Sequence, residues 1–476
     1  MHFDARTEIR PLLFRYGAVV AVFIMIIAVR VLNLDADPPV NLSTSGGLFG
    51  DEAALAHNAR NKALFGHWIT DEWNPLVYNP ILSILEYASF MAFGVGLVQL
   101  RLVNLICVIL SFFLLWKVLI KSHNFQIASL SIFMLGFNYI FTMYNRLGLN
   151  DTFIFFPMAM TLYFWQNGLD RKPLLFFAGI ASFAVYITKA SSLYFVLAAL
   201  FSLLFALFQR YMEGKELKDA AASLGYFLGG LILSYICWYL FFLTPLKSEF
   251  EKVGESWIRL AWPGTIGRFW YNLTAMTFAK YMNNEPIELF ITWGYLPVFL
   301  CLGIRSWRRI RPMEVFIFLW LIGGFIALNG LSYKPLRYFV PIIPPVCLTA
   351  SFALSRLWNI PEDKAYQFRF SSIYWVVLIL TVTGLWLFFF FKRCISFQRI
   401  EQIGYPILGI AAGLLIIFII TGKIRKTLDR IDWKILTRIF VRSLAVAGVA
   451  FSFYINSTLY LRWSNHLRYT VIETSR

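Results

Sequence analysis

PILSILEYASFMAFGVGLVQL, residues 80–100, is the stretch on which the architecture of this chain turns. It is apolar and long enough to cross a bilayer. Gly94 and Gly96 nevertheless interrupt it, and they would end a helix of about 14 residues, a length typical of segments that lie in the membrane interface. Whether it crosses decides the side of everything downstream. If it does not, the loops carrying Lys117 and Lys121, Arg171 and Lys172, and residues 210–218, 305–311, 356–369 and 423–442 all face the cytoplasm, as the positive-inside bias requires. If it does, all of them move outside. The charges therefore predict an interfacial helix here, about thirteen spanning helices in all and a C-terminus outside. Lys392, Arg393 and Arg399 are left on the outer side, against the bias.

Outward from this stretch the chain is built for lipid. Of its 476 residues 59% are hydrophobic and 14% charged, and apolar runs near the roughly 20 residues of a membrane span recur along most of its length. The expected fold is an all-α polytopic membrane protein with one transmembrane domain. That domain has a first extracytoplasmic loop over 34–100, holding two interfacial helices, a second large loop over 245–287 and C-terminal helices over 371–476. The net charge of +17 sits in short segments between apolar runs, where it sets orientation, so nucleic acid is not expected as a partner. The five cysteines lack metal or disulfide spacing. Residues 16–34 follow Arg6, Arg10 and Arg15, exceed a signal-peptide core and are not followed by a small-residue cleavage site, which predicts a retained first helix.

This topology gathers charged residues on the outer face that share no stretch of sequence. Residues 51–65, DEAALAHNARNKALF, form an amphipathic helix closed by Gly66, with Leu55, Ala59 and Ala63 on one side and His57, Arg60 and Asn61 on the other. Asp51 and Glu52 at its start fit two roles. They suit the positive end of the helix dipole, and a carboxylate there can also serve as general base toward a hydroxyl. Asp71 and Glu72, in a Trp- and Pro-containing loop, read as solvated surface. YNRLGLND, residues 144–151, puts Arg146, Asn150 and Asp151 at the mouth of two helices, as interfacial anchors or as site residues. Lys189 lies in a tight hairpin where its ammonium could snorkel or meet a phosphate. SYKPLRYFVPIIPP, residues 332–345, sets Lys334 and Arg337 at a helix entrance; cations there suit a lipid phosphate, and their place on the less basic side argues against mere surface anchoring.

At these residues the chain resembles the membrane glycosyltransferases of the GT-C fold, above all the lipid A aminoarabinose transferases and the dolichyl-phosphate-mannose protein mannosyltransferases. The resemblance covers most of residues 16–354. It rests on FGDEAALAHNARN, on the Asn79-Pro80 helix ending in Phe93-Gly94 before Arg101-Leu102, on ITKASSLYF, and on the block from Arg337-Tyr338 to Pro345. It implies that Asp51 is the base with Glu52 in support, that Asp151 is the second acidic position, and that Lys189, Lys334 and Arg337 hold the phosphate. Arg60, Tyr78, Asn79, Arg146 and Tyr338 complete the implied substrate contacts. The aminoarabinose transferases commonly carry Lys-Pro where this chain has Asn79-Pro80, so a different substrate is expected. The soluble domain fused to eukaryotic protein mannosyltransferases is not visible, which leaves a protein acceptor open.

The implied reaction moves a sugar, with inversion, from a polyprenyl phosphate carrier to an acceptor hydroxyl or phosphate on lipid, glycan or protein at the outer face of the cell (inner) membrane. No cofactor is required. A divalent metal is possible but not indicated, since His57, His67 and His123 show no paired ligand spacing. Two rivals remain. A transporter or flippase of lipid-linked sugars would favour internal repeats and midplane charges, and neither is seen. An O-antigen ligase would use a diphosphate carrier, against which the acidic first loop weighs. Glycosylation-type sequences at Asn41, Asn272 and Asn456 receive no role.

Overall fold

The structure, a computed structural model, describes residues 5–35, 51–68, 76–252, 254, 262–273, 310–333 and 335–358. The chain forms two compact units, Met1–Glu285 with Arg308–Leu348 and Asn456–Arg476, and Pro286–Trp307 with Thr349–Ile455. The contacts described below lie within the first. Lys334, Asp71, Glu72 and the C-terminal helices predicted over 371–476 lie outside the described residues, as does most of the loop 245–287.

No strand occurs among the described residues. The helices, in chain order, are α1 (Ala5–Val31), α2 (Asp51–Phe65), α3 (Pro80–Phe93), α4 (Leu97–Ser122), α5 (Phe125–Gly136), α6 (Tyr139–Tyr144), α7 (Asn150–Phe153), α8 (Phe155–Gly168), α9 (Pro173–Thr188), α10 (Leu193–Met212), α11 (Leu217–Trp238), α12 (Ile266–Tyr271), α13 (Pro312–Gly330) and α14 (Ile343–Trp358). Short 3-10 turns at Ala190–Ser192 and Leu336–Ile342 precede α10 and α14. Among the described residues four helical stretches are long and apolar enough to cross a membrane: Leu97–Ser122, Ala190–Met212, Leu217–Leu243 and Pro312–Gly330. The molecule is a polytopic membrane protein.

The deciding stretch resolves as its glycines predict. Pro80 opens α3 at a position where a missing N–H costs nothing. The helix stops after 14 residues at Gly94, whose φ of +83° suits a residue without a Cβ. At about 1.5 Å per residue that is roughly 21 Å, short of the ~30 Å hydrocarbon core. Just before it, Asn79 Nδ2 donates to Asn150 Oδ1 at 2.7 Å; within its last turns, Ser89 Oγ donates to the Gln99 carbonyl near the start of α4. One face, with Leu82, Ser83, Glu86 and Phe90, is buried, while Ile84, Leu85, Met91 and Phe93 are exposed.

The other end of the bundle collects the basic loops. Lys121 donates to Asn167 Oδ1 and pairs with Asp170, Lys172 pairs with Asp219, Arg210 donates to the Leu169 carbonyl, and Arg311 donates to the Ser122 carbonyl. Loops that the positive-inside pattern puts on one side thus touch one another, about a full span of α4 away from Arg101.

Two devices hold the layer between. α9 and α11 meet backbone to backbone at Gly179 and Gly230, where a Cβ would fall 2.1 Å from the Phe227 carbonyl oxygen and 1.9 Å from that of Phe176, the small-residue contact by which membrane helices approach closely. Arg30, fully buried in α1, donates to the Gly136 carbonyl at 2.9 Å and lies 5.0 Å from the centre of the Phe112 ring, which ties α1 to α5 and α4.

α2 ends at Gly66 (φ +78°), as the sequence predicts, but its buried face differs from the expected one. Ala56 and Ala59 pack with Phe90 of α3 and Leu100 of α4. So small a contact surface lets the helix lie close, and Asn58 and Asn61 are covered with it. Asn61 meets its need locally, pairing with His57 Nε2 at 2.7 Å. Arg60 alone of the predicted polar side stays exposed.

Candidate active site

Four elements bring four charges into one row: the first turn of α2, the start of α7, the link between α9 and α10, and the 3-10 turn before α14. Arg337 Nη1 donates to Asp51 Oδ2, and its Nε lies 4.0 Å from Asp151 Oδ2. Lys189 Nζ donates to Asp151 Oδ1. The row therefore runs Asp51, Arg337, Asp151, Lys189, with alternating sign and zero sum. Tyr338 lies beneath it; the Lys189 ammonium sits 3.6 Å from the centre of its ring, within reach of the negative face.

Burial grades along the row. The Asp51 side chain is 45% exposed, that of Arg337 20% and that of Asp151 7%. Burial lowers the pKa of Lys189 from the ordinary lysine value, with Asp151 opposing and Arg337 adding to the shift. Burial, then the charge of Asp151, raises that of Tyr338, whose phenol stays protonated. The accessible end of the row is a carboxylate beside a guanidinium; the inner end is an ammonium held on an acid and a ring.

Glu52, adjacent to Asp51, faces the other way. Arg101 Nε and Nη2 donate to its two oxygens at 2.9 and 2.5 Å, and the Gly148 N–H donates to Oε1 at 2.6 Å. Glu52 therefore fastens α2 to α4 and to the 145–149 loop, and its charge is matched there instead of at Asp51. Arg101 also reaches the Leu34 carbonyl, while Asn104 Nδ2 donates to the carbonyls of Leu147 and Leu149. The loop so held delivers Asp151.

Arg146 does not join the row. It is 1% exposed, and its guanidinium donates to the carbonyls of Val29, Leu32 and Asn33 at the end of α1. A buried helix end needs donors for its last carbonyls, and Arg146 supplies them. Tyr78 is turned aside as well: its hydroxyl donates to the Phe250 carbonyl at 3.0 Å, its ring stacks on Phe250, and burial, then Tyr186, pushes its pKa up to about 12. Asn79 does reach the site region, through Asn150, the neighbour of Asp151.

Two participants escaped the sequence reading. Arg101 was a landmark there and not a partner; its signal is one guanidinium in the first turns of an apolar helix. Glu86 is fully buried on α3 with neither carboxylate oxygen partnered among the described residues, and Asn79, Ser83 and Glu86 recur at i, i+4 and i+7. That polar periodicity within an apolar run was its signal.

Residues 78–239 match the family described as dolichyl-phosphate-mannose-protein mannosyltransferase. The match begins after Asp51 and ends before Arg337. Among solved structures, ArnT from Cupriavidus metallidurans bound to undecaprenyl phosphate is 16% identical, with 94% of this chain and 77% of that one covered at a TM-score of 0.52. The archaeal oligosaccharyltransferase AglB from Archaeoglobus fulgidus, in complex with an inhibitory peptide and a dolichol phosphate, is 14% identical, with 75% and 51% covered at a TM-score of 0.47. No curated protein matches the chain.

Proposed function

We propose that this chain, which has the fold of the GT-C membrane glycosyltransferases, moves a sugar from a polyprenyl phosphate carrier to an acceptor hydroxyl at the extracytoplasmic face. The observation that carries this reading is the row Asp51, Arg337, Asp151, Lys189. A half-exposed carboxylate at the open end of a row that holds two cations is what displacement of a phosphate from an anomeric carbon needs. The undecaprenyl phosphate bound to ArnT supports the same class of carrier.

In this reading Asp51 takes the acceptor proton as the acceptor oxygen attacks the anomeric carbon from the face opposite the phosphate, inverting it. The bond from carbon to the phosphate oxygen breaks, and its electron pair stays on the phosphate. Arg337 and Lys189 meet that growing charge, with Lys334, three residues before Arg337, assigned to the same group. Asp151 keeps the two cations in place and Tyr338 floors the ammonium. Arg60, exposed on α2, is assigned to the acceptor side.

The test is transfer by purified, lipid-reconstituted protein from a panel of polyprenyl phosphate sugars. Wild type should transfer one of them, and Asp51→Asn should lose about 10²- to 10⁴-fold in rate. Undiminished transfer by folded Asp51→Asn removes Asp51 as base; movement of the labelled carrier between leaflets without transfer replaces the enzyme with a transporter.

A further inference from the structure

Asp51 is bonded to the guanidinium that the carrier phosphate requires. Taking from the proposed function that Arg337 and Lys189 receive this phosphate, we propose that Asp51 and the phosphate compete for Arg337, so that carrier binding itself releases the base. The carrier then binds first and the acceptor second.

The two carboxylates in the row are not equivalent competitors. Asp151 is nearly enclosed and holds Lys189 as well as facing Arg337, so displacing it would strand a buried ammonium. Asp51 is 45% exposed, holds Arg337 only at its outer nitrogen and can turn into water when displaced. A phosphate arriving at the open end exchanges with Asp51 and leaves the inner pair intact. The fork of Arg337 then grips two phosphate oxygens where it had gripped one carboxylate oxygen.

The exchange also orders departure. The carrier enters as a phosphodiester with one negative charge and leaves as a monoester that can carry two. At the moment of transfer Asp51 holds the acceptor proton, is neutral and has no claim on Arg337. When that proton passes to water, the carboxylate re-forms and reclaims the guanidinium, weakening the hold on the product phosphate.

Binding of undecaprenyl phosphate to the full-length protein in nanodiscs tests this without any transfer. Asp51→Asn and Asp51→Ala should each bind it about three- to tenfold more tightly than wild type, the scale of a partly exposed ion pair removed from competition, while Asp51→Glu stays near wild type. In an Arg337→Gln background the gain should vanish. Unchanged or weaker binding by both neutral variants, at wild-type melting temperature, overturns the competition and leaves the proposed function standing. A wild type that does not bind undecaprenyl phosphate overturns both.

Discussion

Arg101 and Glu52 form a two-toothed ion pair with neither side chain more than 4% exposed, between helices that the sequence separates by 49 positions. Such a pair is held by its own completeness. The charges are strongly attracted only because they are dry, and either one left alone is worse than both removed.

Replacing Arg101 by Met should therefore destabilise the protein by about 3–5 kcal/mol, because Glu52 is left charged and enclosed. The double replacement Arg101→Met, Glu52→Leu should recover part of that loss, although the Gly148 N–H loses its acceptor. Thermal unfolding of the two variants in one detergent reads the difference, and a double variant less stable than the single one contradicts it.

Glu86 supplies a pH dependence. Burial, then the nearby charge of Glu52, raises its pKa well above the usual carboxylate value of 4.5, so the folded protein keeps the proton that the unfolded chain releases. The native state binds more protons, and stability must fall as pH rises from about 4.5 toward the raised value, by up to about 1.4 kcal/mol per pH unit. Glu86→Gln has the shape of the protonated acid and no such slope. Its melting temperature should exceed that of wild type by a margin that widens from pH 5 to pH 7; a constant margin would show that Glu86 is not protonated in the fold.

The placement of α3 is open to labelling. Leu76 and Val95 lie just before and just after it, and a helix of 14 residues that stays in the interface would leave both on one side. Single cysteines at 76 and 95 in a cysteine-free background should react with a membrane-impermeant thiol reagent from the same side of sealed vesicles. Reaction from opposite sides would restore a spanning helix.

Much of this was legible in the chain. Gly94 and Gly66 fixed the ends of α3 and α2, because a residue favouring positive φ states its conformation locally. The predicted topology set Asp51, Asp151, Lys189 and Arg337 on one face, and the family resemblance implied that they share a site; which of them pair was left to tertiary contact. Arg146 stayed open between anchor and site residue for the converse reason. An arginine at a helix mouth has the same local sequence whether it turns to a ligand or to the last carbonyls of α1, and only tertiary contact distinguishes the two. Glu52 and Arg101 were hidden in the same way: sequence shows two charges, and the pair exists only once α2 lies across α4.

Asp51 and Glu52 are neighbours in the chain, and on a helix neighbours point about 100° apart. One faces the open row and the other the dry seam with Arg101. The division of labour is thus an angular one, fixed by the phase at which α2 begins. Inserting or deleting a single residue ahead of the pair could be absorbed by the incoming loop, but rotating the helix by one position would exchange their destinations. An acid suited to chemistry would be locked in the scaffold, and its neighbour would be set before the substrate without the groups arranged to serve it.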